Sequence, residues 1–178
     1  MKNIFYLLFS FLILYSCRSR KFSENITNPS PYFSALMEGH DNTVFHGIDF
    51  NLQQDDIRKI EKAKLYERTT DHLFYSYVFP KDSTPFSEYA DIEYFFDKAG
   101  KMEIITSSIY ANDSLQQKFL IETFHQYFNN RYGEPKKDDY GYDVWKGTME
   151  ASDDDYDYSV GMSPLNDEYG IKLEYLRD

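Results

Sequence analysis

Few side chains in this sequence are spaced to do covalent or metal chemistry. The histidines, His40, His46, His72 and His125, include no i, i+4 pair and no His-Glu-x-x-His spacing, so their order predicts no zinc site. No Gly-x-Ser-x-Gly elbow is present to expose a serine nucleophile. With 8 glycines in 178 residues there is no glycine-rich phosphate loop either. The local feature that stands out is acidic: Asp153, Asp154, Asp155 and Asp157 cluster around Tyr156. The run lacks the Asp-x-Asp-x-Asp-Gly form of a calcium loop, so the expectation is a solvated hairpin or an electrostatic patch that steers a cationic partner. Asp138, Asp139, Asp167 and Glu168 fall in other loops, expected at the opposite end of a simple meander. These residues predict a non-enzymatic protein with no cofactor and no metal.

The only cysteine, Cys17, closes an apolar run from Ile4 to Ser16. Thirteen residues make roughly 20 Å of helix, too short for a hydrocarbon core of about 30 Å. With Lys2 ahead of it, the run reads as a signal peptide. Leu14-Tyr15-Ser16-Cys17 resembles a bacterial lipobox, with an aliphatic residue three before the cysteine and a small one just before it. That resemblance implies that Cys17 is acylated, becomes the first mature residue and holds the protein on the lipid bilayer through several chains. Arg18-Ser19-Arg20-Lys21 follows, where surface-exported lipoproteins of the Bacteroidota carry acidic residues. The same resemblance therefore implies a bacterial cell-envelope protein facing the periplasm. With Cys17 so used, a thiol nucleophile is excluded and the fold must form without disulfides.

The full chain carries 30 Asp and Glu against 19 Lys and Arg, a net charge of −11. Such a surface repels nucleic acid and anionic headgroups, and favours a basic protein partner. The 17 Tyr and 15 Phe exceed what a disordered chain would show and suit half-buried sheet faces. Residues 1–16 are read as the signal, 17–42 as the lipidated cysteine and a flexible tether, and 43–178 as a single α+β domain. A short amphipathic turn around Tyr32 to Met37 is expected to lie against that domain.

Within the domain, Asn51-Leu-Gln-Gln54 has capping-box form, Asp55 and Asp56 suit a first turn, and Ile57 and Ile60 carry a helix to about Lys64. Leu73–Phe79 is an aromatic strand stopped by Pro80. Ala90, Ile92, Tyr94 and Phe96 alternate with Asp91, Glu93, Phe95 and Asp97. A turn at Asp97–Gly100 returns the chain through Met102–Tyr110, completing a hairpin. A second helix is expected from Ser114-Leu-Gln-Gln117, with an apolar stripe of Leu115, Phe119, Leu120, Phe124, Tyr127 and Phe128, ending at Tyr132-Gly133. Tyr142–Lys146, Tyr156–Met162 and Ile171–Tyr175 supply three more strands.

The expected fold is an α+β two-layer sandwich: a mostly antiparallel sheet of about six strands with two helices on one face. The order helix, three strands, helix, three strands suggests a duplication over 51–110 and 114–176. The helix ending Tyr132-Gly-x-Pro135 before the Trp145 strand resembles the αβ repeats of the β-lactamase inhibitor protein family and of the SmpA outer-membrane lipoprotein family. This likeness speaks to architecture. Asp82-Ser83-Thr84 and Asp113-Ser114-Leu115 resemble the O-glycosylation acceptor of exported Bacteroidota proteins, although a helix cap also explains Ser114. The functional expectation is a membrane-anchored protein-binding module, such as an inhibitor or a toxin-neutralising immunity protein. An envelope assembly or scaffold lipoprotein and a small-ligand or glycan binder are the alternatives.

Overall fold

The computed structural model describes residues 21–79, 89–150 and 155–178. One antiparallel sheet of eight strands forms one layer: β1 Lys64–Arg68, β2 His72–Val78, β3 Tyr89–Phe96, β4 Met102–Tyr110, β5 Lys136–Lys137, β6 Asp143–Met149, β7 Tyr156–Pro164 and β8 Gly170–Arg177. Among the described residues three α-helices accompany the sheet, α1 Pro31–Met37, α2 Gln54–Ile60 and α3 Ser114–Tyr132, with a 3-10 turn at Ser23–Asn25. The α+β two-layer reading holds, but the strand count is eight rather than six.

The spatial order β1-β2-β3-β4-β8-β7-β6-β5 has a simple logic. Two four-stranded meanders, each preceded by a helix, join through their last strands, β4 and β8. The missed strand in each half is its first, and both lie at sheet edges. β1 shows an almost wholly exposed pattern and β5 is two exposed residues, so neither carries the alternation that reveals a half-buried strand. The expected helix to Lys64 also stops earlier, at Ile60, because Lys64 already pairs with Ser76.

Both expected capping boxes shift. Before α2 the N-cap is Gln53 with no side-chain cap, and Asn51 lies outside the helix. Before α3 the cap is Asp113, whose Oδ1 accepts the Gln116 N–H at 2.8 Å, while Gln116 Oε1 accepts the Asn112 N–H at 3.2 Å. Asn51-Leu-Gln-Gln and Ser114-Leu-Gln-Gln are therefore not equivalent in the two halves, although the element order repeats.

The tether expected through residue 42 is corrected from Phe22 onward. Ile26, Tyr32, Phe33, Leu36 and Met37 are buried, with Pro31 at the start of α1 supplying preset helical φ. α1 packs on α3, with the Phe33 ring 5.3 Å from Phe124 and 5.1 Å from Tyr127. α3 in turn lies against β8 and β6. Trp145 is buried there, its ring 5.0 Å from Phe128 and its Nε1 donating to Asn129 at 2.9 Å. Aromatic pairs of this kind add about 0.5–1.5 kcal/mol each beyond the area they bury. Leu115 and Phe119, placed on the apolar stripe by sequence, are exposed.

Strand alternation then sorts the sheet into two faces. Ala90, Ile92 and Tyr94 of β3, Ile105 and Ile109 of β4, and Ile171, Leu173 and Tyr175 of β8 enter the core beneath the helices. Their neighbours emerge on the opposite face, which carries no helix among the described residues and is called the helix-free face below. The join between the halves is tight: a Cβ on Gly170 would sit 2.1 Å from the Ile109 carbonyl oxygen, and φ there is +145°.

Candidate functional site

The helix-free face carries chemistry in its β2–β3–β4 quarter. Asp91 and Glu93 alternate with buried Ala90, Ile92 and Tyr94, so both carboxylates stand on the same side of β3. Glu93 lies 3.0 Å from His72 Nε2 and accepts from Thr106 Oγ1 at 3.4 Å. His72 stacks on Phe95 with ring centroids 4.6 Å apart. Asp91 accepts from Tyr110 at 3.4 Å and from the Ser76 hydroxyl, both neutral groups. Tyr110 in turn stacks on Tyr89 at 4.5 Å.

Burial, the dominant influence, raises the Asp91 pKa above its ordinary 3.8, and the charges of Glu93 and Glu168 add to the rise, against its two hydroxyl donors. Burial and the Asp91 charge together push the Tyr110 phenol up to about 12. Among the described residues no lysine or arginine reaches ion-pair distance of Asp91. Lys172 is spent on Glu174 at 3.0 Å and Lys146 on Asp178 at 2.6 Å. Exposed Val78 and Tyr89 border the carboxylates, with Tyr66 further along the face, ring centroid 5.9 Å from Phe74. The face therefore combines uncompensated negative charge with flat aromatic surface, which suits a guanidinium or ammonium group.

The described members of the acidic run, Asp155 and Asp157, lie apart from this quarter. Asp153 and Asp154 lie outside the described residues, as do Cys17 and Ser83. Asp155 just precedes β7. Asp157 lies within β7, where it accepts from Thr148 Oγ1 at 2.6 Å. Glu168, in the β7–β8 turn, is at the other end of β7 and adds to the field at Asp91, Tyr89 and Tyr110. Asp138 caps its own turn, accepting the N–H groups of Tyr140 and Tyr142. Ser114 opens α3.

The chain matches no protein-family model, no curated protein and no solved structure.

A second polar group, unseen in the sequence, is buried beneath the helix-side face. The Glu61 side chain accepts from Tyr94 OH at 2.8 Å and the Ala63 N–H at 2.8 Å, and lies 3.5 Å from His46 Nε2. His46 Nδ1 lies 3.1 Å from the Leu36 carbonyl oxygen. A backbone carbonyl at one ring nitrogen and a carboxylate at the other favour the protonated imidazole. Burial opposes that charge, but the Glu61 hydrogen bond and charge outweigh it and raise His46 above 6.5. Burial likewise opposes the Glu61 charge, yet His46, Ala63 and Tyr94 together hold it below 4.5. His46 adopts φ +50°, uncommon for a residue with a side chain, so the turn is held in a conformation that aims the ring inward. His40 packs against it, ring centroids 5.6 Å apart. This cluster ties the loop before α2 to β3 and is structural in its geometry. Among the described residues, no group of histidine, cysteine and carboxylate side chains is set to hold a metal, and no helix is long and apolar enough to cross a membrane.

Proposed function

We propose that this chain is a lipid-anchored, non-enzymatic protein-binding module of the bacterial cell envelope, and that it docks a basic protein on the helix-free face around Asp91 and Glu93. The observation that carries this reading is Asp91, a half-buried carboxylate with only neutral donors, kept on an aromatic face. Its pKa is raised despite the Ser76 and Tyr110 donors, so its charge is favoured less in the fold than in the unfolded chain. A partner's lysine or arginine would supply the missing charge and cover Tyr89 and Tyr110. Docking of this kind fits an inhibitor or an immunity protein, whose target must be recognised without chemistry.

The anchor and the face are tested separately. Cys17→Ser is expected to move the protein from the membrane to the soluble fraction, and retention in the membrane would sink the lipid anchor. Asp91→Asn/Glu93→Gln is expected to abolish salt-sensitive association with the partner while leaving membrane attachment unchanged. A partner held equally by this double variant would contradict the docking face.

A further inference from the structure

The two edges of the sheet are guarded unequally. β1 carries a register shift between Leu65 and Glu67 and presents Lys64, Glu67 and Arg68, features that discourage another strand from pairing. At the other edge β5 meets β6 only through Lys136↔Val144 and Lys137↔Asp143. β6 runs on to Met149, and among the described residues no strand lies beyond it. The Asp138 N–H bonds the Tyr142 carbonyl at 3.1 Å, which sets the parity of the outer side. By alternation, Lys146 and Thr148 then direct their N–H and C=O groups outward, while Trp145 and Gly147 bond toward β7. Among the described residues nothing hydrogen-bonds these outward groups.

This open edge is one wall of a cleft of about 580 Å³. Arg131 and Tyr132, from the end of α3, form the facing wall together with Phe22, Asp41 and Asn42. Arg131 donates to Tyr127 OH at 2.8 Å and to the Thr43 carbonyl at 2.7 Å, and its guanidinium lies 5.2 Å from the Tyr132 ring centroid. These partners are neutral, and among the described residues no carboxylate stands within ion-pair distance of it. Asp41 also lines the cleft, but its carboxylate already accepts the Ser23 N–H and hydroxyl. Glu150, just after the end of β6, also lines the cleft.

We propose that the open edge of β6 takes an extended peptide as an added strand, with a carboxylate of that peptide seated on Arg131. The edge supplies donors and acceptors at Lys146 and Thr148 in the spacing of an antiparallel partner. The guanidinium supplies a planar fork whose natural complement is a carboxylate. A small anion would satisfy Arg131 and leave the strand edge open, whereas a peptide satisfies both. The site is separate from the acidic face and does not depend on the basic partner proposed for it.

The test is an NMR titration of the purified protein in detergent with acetyl-Thr-Val-Thr-Val as free acid and as C-terminal amide. The acid is expected to shift the Lys146 and Thr148 amide signals and to bind at least about tenfold more tightly than the amide. Arg131→Gln should erase that preference. Thr148→Pro removes an N–H that points away from β7, so it should fold with unchanged near-UV circular dichroism and bind neither peptide. Equal affinity for acid and amide, shifts confined to β1, wild-type binding by Thr148→Pro, or no shift at millimolar peptide would each overturn the proposal.

Discussion

Replacing Glu61 by Gln changes one charge in a buried polar cluster, and the structure specifies how the cost depends on pH. The Glu61 side chain is fully buried against His46, Tyr94 and the Ala63 N–H. Glutamine keeps the size and one acceptor oxygen but turns the second position into a donor, so Tyr94 or His46 loses its acceptor. One weakened charge-assisted bond and one lost partner cost about 2–4 kcal/mol. The pH dependence is more diagnostic than the mean.

In the wild type the folded His46 pKa lies above 6.5, so its stabilising contribution is complete below that value and is lost as pH rises through the folded value. The folded Glu61 pKa lies below 4.5, so its contribution is present above that value and is lost as pH falls through the folded one. The pair therefore stabilises most between those limits. In Glu61→Gln, burial acts on His46 without its counter-charge and drives its pKa below the ordinary value, so falling pH now destabilises the fold. Urea denaturation of both proteins at about pH 5.5 and about pH 8 should show a gap that widens toward the acid end. A gap under about 0.5 kcal/mol, or one independent of pH, would refute the buried ion pair.

Other perturbations follow from the same structure. Trp145→Ala should cost about 3–5 kcal/mol in urea midpoint analysis, because it empties a site packed on Phe128 and orphans Asn129. Asp113→Ala should lower stability by about 1 kcal/mol through the lost cap on Gln116, with Asp113→Asn near neutral. Gly170→Ala should abolish soluble folding or strongly lower the melting temperature, since its Cβ meets Ile109 backbone at the join of the two halves. Asp91→Asn, by contrast, should melt at or slightly above the wild type at neutral pH, because the raised carboxylate pKa is a cost that the amide avoids.

The central strands were legible because they bury one face and wet the other. Ala90, Ile92, Tyr94 and Phe96 announce β3, and Ile171, Leu173 and Tyr175 announce β8. The edges were not, since Lys64–Arg68 half-buries only Leu65 and Lys136–Lys137 is held in β5 by two residues of β6. The Phe22–Asn42 segment looked like a tether because its polar and proline-rich composition outweighed a single apolar turn. That turn nonetheless places Phe33 among the α3 aromatics. Asp91 and Glu93 were visible only as the polar members of an alternating strand. Their significance depends on Tyr110 and His72 from neighbouring strands and Glu168 from a turn, contacts that no local spacing encodes. The same holds for His46 and Glu61, which lie on either side of α2.

The docking face is tested most directly by site-specific photocrosslinking of the full chain in its native cell. A photoreactive residue at Ser108, beside Asp91 on β4, should trap a basic protein, whereas one at Leu115 on α3 should not. Asp91→Asn/Glu93→Gln should remove the Ser108 adduct. An adduct formed from Leu115 alone, or one from Ser108 that persists after both carboxylates are neutralised, would contradict the account.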